Sequence, residues 1–181
     1  MMKPWLILGV LIVALVTMGS SCVNDSFIIP VNVPLEKVYE TNTGGQWDDF
    51  ADILIIGEIP ESLSDDIVGS RLVDIEVQAI DPPPGASVQG TASVNGIPAI
   101  SFGGTGAQFA NPVSLLNPGV PAVITQNQAG IDELVRVLDL FLLDPDNTTV
   151  RISSAGAVSP PVSAQQIRVT ITVQADAQGS N

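Results

Sequence analysis

Histidine is absent from this 181-residue chain, and cysteine occurs once, at Cys22. Without imidazole there is no ordinary general base, proton shuttle or commonest metal ligand. A Ser-His-Asp or Cys-His device is excluded, and zinc has no plausible ligand set. A single thiol cannot close an internal disulfide. Basic residues are also scarce: 6 Lys and Arg stand against 19 Asp and Glu, a net charge of −13. That balance excludes nucleic acid as a partner, because its phosphates need Lys and Arg to release counterions. It equally disfavours docking of a folded face on anionic lipid. Aromatic residues make up only 4% of the chain. Beyond the first 22 residues, Trp47 and Tyr39 are the only amphipathic rings.

Another scarcity is local. Residues 82–131 contain no charged side chain, although they are rich in Gly, Pro, Ser, Asn and Val. Turns and strands whose solvated faces use hydroxyls and amides account for this. A neutral surface that meets a partner is the sharper reading, since charge depletion marks the cores of interfaces.

What the chain does have begins with a greasy leader. Residues 5–18 (WLILGVLIVALVTM) are uncharged and follow Lys3 and the amino terminus, a charged region followed by an apolar stretch of secretory length. The run is shorter than the roughly 20 apolar residues a bilayer core requires. It leads into Gly19, Ser20, Ser21 and Cys22. This arrangement resembles the lipobox of bacterial lipoproteins, which implies cleavage before Cys22 and acylation of its sulfur. Gly19 and Ser21 depart from the family's usual residues while Ser20 fits, so ordinary signal cleavage and an uncleaved anchor are the competing readings. Val23 rather than Asp follows Cys22, and by the same resemblance that implies retention at the outer membrane. The expected organisation is a signal peptide over 1–21, a lipid-anchored linker over 22–26 and a β-sandwich domain over 27–181. After residue 21, 160 residues remain, with 5 basic and 19 acidic side chains. That length suffices for one domain with a real core.

Strict alternation dominates the rest. In IRVTITVQA, Ile167, Val169, Ile171, Val173 and Ala175 face one way while Arg168, Thr170, Thr172 and Gln174 face the other. In LVDIEVQA, Val73, Ile75, Val77 and Ala79 are expected inward and Asp74, Glu76 and Gln78 outward. Phe27, Ile29, Val31, Val33 and Leu35 form a further alternating run, with Pro30 and Pro34 marking an edge strand. Weaker strands are expected over 88–94, 97–102 and 149–154, with Asn95-Gly96 as a hairpin turn. Half-buried alternating strands joined by short turns predict an antiparallel, immunoglobulin-like β-sandwich, mainly β. One amphipathic helix is expected near 130–143, where Ile131, Leu134, Val135, Leu138 and Leu142 recur at helical spacing. Asp132 stands four residues before Arg136 for an ion pair, and Asp144-Pro145 ends the helix. A shorter helical turn is expected within 60–68. The layout resembles envelope lipoproteins with an immunoglobulin-like or late-embryogenesis-abundant-like sandwich, which implies a non-catalytic domain.

Chemistry would have to run on carboxylates. Asp48, Asp49 and Asp52 cluster in TGGQWDDFAD, and Asp65-Asp66 follow. Two acids could serve a glycoside hydrolase, but the shortage of aromatic platforms argues against it. Calcium suits such acids better, since it takes six to eight hard oxygens, and Asp48, Asp49 and Asp52 are the candidate metal ligands. Asp144 and Asp146 read as a turn ending the helix. The glycines of SFGGTGAQF (101–109) read as a flexible turn and not as a phosphate loop, because no helix pattern and no basic residue accompany them. The expectation is therefore a non-enzymatic, cofactor-free envelope lipoprotein: a structural or binding module, held to the membrane by lipid at Cys22 and meeting an envelope protein partner. A calcium-dependent adhesion or carbohydrate-binding domain is the alternative.

Overall fold

The computed structural model describes residues 27–64, 66–119 and 121–179. The signal segment, Cys22, the linker and Asp65 lie outside the described residues. The predicted antiparallel β-sandwich with one amphipathic helix is the fold observed.

Among the described residues, nine strands share two sheets. The first sheet contains β1 (Phe27–Glu40), β9 (Gln166–Gly179), β3 (Ile67–Ile80) and the short β6 (Val113–Ser114), in that spatial order. The second runs β2 (Gln46–Leu54), β8 (Thr149–Ser159), β4 (Ser87–Val94), β5 (Ile97–Thr105) and β7 (Ile124–Gln126). Successive strands repeatedly change layer, and the first strand pairs with the last. This interleaved order, 1-9-3-6 over 2-8-4-5 with β7 added, is the double Greek-key connectivity of a jelly roll. Three helical segments are present among the described residues besides a 3-10 turn (Ile55–Glu58): α1 (Glu61–Ser64), α2 (Gly106–Phe109) and α3 (Gln128–Leu143).

The pairings give the sandwich two ends. At the base lie the start of β1, the end of β2, the start of β3, the β4–β5 hairpin and the end of β9. The crown carries the loops around 41–45, 81–86 and 160–165. Helix α3 begins and ends at the base and lies across it. Its buried side (Ile131, Leu134, Val137, Leu138, Phe141) packs into the sandwich, and Ser70 Oγ donates to the Leu138 carbonyl at 3.2 Å. Asn127 caps its start by accepting from the Ala129 amide, and Asp144 ends it as expected.

The core is built from the two inner faces. Val33, Leu35, Tyr39, Ile75, Val77, Ile167, Val169, Ile171 and Val173 come from the first sheet; Trp47, Val88, Val94, Ile100, Phe102, Val150, Ile152 and Val158 come from the second. Trp47 stacks on Phe102 with ring centroids 6.2 Å apart, and Phe109 meets Phe102 edge-on at 5.9 Å. The indole lies directly on Gly156, where a Cβ would come within 2.3 Å of it. Its Nε1 donates to the buried Ser154 Oγ at 3.0 Å, so the ring is covered and satisfied.

β1 is an edge strand, as its prolines imply. All fourteen of its residues pair with β9. In an antiparallel ladder alternate amides face the partner and the rest face the open edge. Pro30 and Pro34 share one parity and take the open set, where a missing N–H costs nothing.

Three expectations are corrected. A register shift between Leu72 and Asp74 makes Val73 the bulged residue, and Leu72, not Val73, packs against the core. Arg136 pairs with Glu133 through two hydrogen bonds of 2.8 and 2.6 Å instead of with Asp132, which accepts from Gln128. Glu133 is preferred because Asn95, at the hairpin turn, donates to the same carboxylate at 2.7 Å. The 101–109 segment is not a flexible turn. β5 runs to Thr105, whose side chain and that of Gln108 form a reciprocal capping box for α2, and Phe109 is fully buried.

Candidate binding face

Register determines what the second sheet shows to solvent. Because Val88, Ala92, Val94, Ile100, Phe102, Ile152 and Val158 point inward, their neighbours on β4, β5 and β8 point outward. Three rows cross the strands on that outer face. Gln46, Ala157, Gln89 and Gly103 form one, and Asp48, Ala155, Thr91, Ser101 and Thr125 form the next. Phe50, Ser153, Ser93 and Pro98 form the third. With strands about 4.8 Å apart, the face is about 19 Å across five strands. Between β8 and β7 these rows hold only hydroxyls, an amide, methyl groups, a proline ring and a glycine. The uncharged stretch 82–131 supplies β4, β5 and β7; Ser153, Ala155 and Ala157 of β8 come from outside it and complete the surface. Their signal in the sequence was the lack of charge at alternate positions after Arg151.

The outer face of the first sheet is charged. It carries Glu36, Glu40, Arg71, Asp74, Glu76, Arg168 and Asp176 at outward positions of β1, β3 and β9. Arg168 Nε sits 3.2 Å from Glu36 Oε1 without the alignment of a hydrogen bond, while its Nη1 donates to Gln78 at 3.3 Å. Together with Glu76, Thr170 and Pro112 these groups line a shallow hollow.

The three candidate metal ligands all lie on β2, the edge of the second sheet, but not on one side of it. Asp48 and Asp52 face outward. Asp49 has the core-facing parity and spans the open edge between the sheets, 3.2 Å from Lys37 Nζ. A hydrogen bond from the Phe50 backbone, then one from Lys37, holds the Asp49 carboxyl below its ordinary range. Arg151 holds Asp52 in a two-pronged pair of 2.7 and 2.9 Å, and this hydrogen bonding lowers the Asp52 carboxyl in turn. The same guanidinium lies 4.4 Å from the Phe50 ring centroid. A calcium ion would have to displace both Lys37 and Arg151. Among the described residues no three ligating side chains gather around one point.

The remaining sequence candidates have local roles. Asp144 accepts from Asn147 Nδ2 at 2.8 Å, and its carbonyl accepts from Thr148 Oγ1, so 144–148 is the turn that closes α3. Trp47 is buried and presents no platform to a sugar. Tyr39 is also buried; its hydroxyl donates across the core to the Ile152 carbonyl at 3.3 Å, and burial pushes the phenol up. No helix among the described residues is long and apolar enough to cross a membrane.

No protein-family model matches the chain, and no curated protein matches it. Solved structures that align distantly with the chain include one titled desmodium yellow mottle tymovirus, at 9% identity and a TM-score of 0.33, covering 87% of this chain and 90% of the other. Another is turnip yellow mosaic virus at 100 K, at 13% identity and a TM-score of 0.33, covering 86% and 97%. Likeness at this level carries no functional argument.

Proposed function

We propose that this chain is a cell-envelope lipoprotein, tethered through lipid on Cys22 at the outer membrane, whose sandwich is a non-catalytic binding or structural module. The uncharged outer face of the second sheet carries the binding half of this reading. In a chain of net charge −13, a neutral surface spanning four adjacent strands is where a partner can be met with the least desolvation of charge. The partner is an envelope protein, met flat against Thr91, Ser101 and Ser153. Four residues separate Cys22 from Phe27, where β1 begins, so the anchor leads into the base and leaves the crown and both outer faces displayed.

Two measurements test the two halves. Intact mass spectrometry of membrane-extracted protein, beside Cys22→Ala, should show an acylated N-terminus at residue 22 in the first alone. An unmodified peptide starting elsewhere overturns the anchor. For the face, a photoreactive amino acid at position 91 should crosslink to one defined envelope protein in membranes, and one at position 172 on the charged sheet should not. Equal crosslinking from both positions overturns the binding face.

A further inference from the structure

Apolar exposure is unevenly spread over the molecule. Of the ten large hydrophobic side chains that remain exposed among the described residues, eight lie at the base. They include Phe27 and Ile28 at the start of β1, Val68 at the start of β3, and Val135, Leu140 and Leu143 on the outward side of α3. Leu143 is the most exposed of them, at 81%. Helix α3 thus closes the core with one side and presents Val135, Leu140 and Leu143 away from it, among the exposed Asp132, Arg136 and Asp139. Exposed apolar side chains gathered at one end of a molecule mark a contact site.

The position of Cys22 relative to the sandwich points to what that contact is. The described body starts at the base, with Phe27. The five Cα–Cα links from Cys22 to Phe27 reach at most about 18 Å, whereas fourteen-residue strands make the sandwich about 46 Å long. A molecule held at Cys22 therefore keeps its base within reach of the bilayer and its crown beyond it. We propose that the base is a lipid-contact face: the outward side of α3 and the start of β1 rest on the zwitterionic membrane surface, which fixes the sandwich upright with its neutral sheet face turned sideways. This rests on the anchored reading above. Exposed Asp132, Arg136 and Asp139 share that side of α3, and Glu58, Glu61, Asp144 and Asp146 lie at the same end, so the contact is shallow and is made with neutral headgroups, not anionic ones.

The test uses the full chain with a fluorescent amino acid at position 143 or, at the crown, position 163, on phosphatidylcholine vesicles containing nitroxide-labelled lipid. Protein that carries no native lipid is coupled through Cys22 to a maleimide phospholipid, so the base is examined whether or not the cell acylates that residue. Blue-shifted emission and nitroxide quenching at 143, with neither at 163, is the expected result. Equal, water-like emission from both positions on pelleted vesicles overturns the contact while leaving the anchor standing. Absence of native lipid by mass, with quenching at 143 after coupling, overturns the anchor while supporting the contact.

Discussion

The two outer faces of this sandwich follow one alternation rule and reach opposite surfaces. On the first sheet, outward positions are filled by Glu36, Asp74, Glu76, Arg71 and Arg168, tied through contacts such as Arg71 to Gln174 at 2.9 Å and Ser114 to Asp74. On the second, the same period places Thr91, Ser93, Ser101, Ser153 and Ala155 outward. Period two decides which residues reach solvent but not how they treat it. A charged face resists close approach by another surface, whereas small hydroxyl and methyl groups leave the sheet flat and cheap to dry.

The comparison can be broken from beneath. Trp47→Ala removes the ring that supports the second sheet and should cost about 3–5 kcal/mol in urea unfolding. Gly156→Ala, which drives a Cβ into the indole and the Gln89 carbonyl, should cost about 1–3 kcal/mol by overpacking. Both effects should be larger than any change made on either outer face. A substitution that leaves the urea midpoint unmoved would contradict the packing described.

Acid separates contributions more finely. Hydrogen bonds from Arg136, then Asn95, hold the Glu133 carboxyl down to about 2 from its ordinary 4.5. A depressed folded value means that the stabilisation is full above about pH 4.5 and is lost as pH falls through the folded value. Glu133→Gln should therefore flatten the stability profile between those limits and leave its slope above pH 5 unchanged, as read by chemical denaturation at each pH.

Recharging the neutral face sharpens the contrast. Ser93→Lys with Ser101→Lys should abolish crosslinking from position 91 and shift stability by no more than about 0.5 kcal/mol. Thr172→Lys on the charged sheet should change neither. The smallest effect is expected from calcium. With Lys37 and Arg151 already on Asp49 and Asp52, melting midpoints in calcium and in chelator should coincide, and a rise of several degrees would restore the metal reading.

Much of the fold was legible because β1, β9 and the second half of β3 alternate cleanly between core and solvent. β2 was not, since Asp49 sits at a core-facing position and Phe50 at an outward one, which inverts the pattern at an edge that Lys37 neutralises. The bulge at Val73 was hidden because Leu72 and Val73 are both apolar and either could turn inward. β6 and β7, two and three residues long, are too short to show a period. For the binding face, the missing charge over 82–131 was visible, but the contribution of β8 depends on its pairing with β4, a contact between residues more than fifty positions apart. The acids of β2 looked clustered because adjacent strand residues are close in sequence, although they project to opposite sides.

The prolines of β1 bear on how such molecules behave in a crowd. When two copies meet along their flanks, a long unpaired strand invites them to zip into fibres. By withholding two amides from the exposed margin, Pro30 and Pro34 leave two gaps in the ladder that an added strand would need.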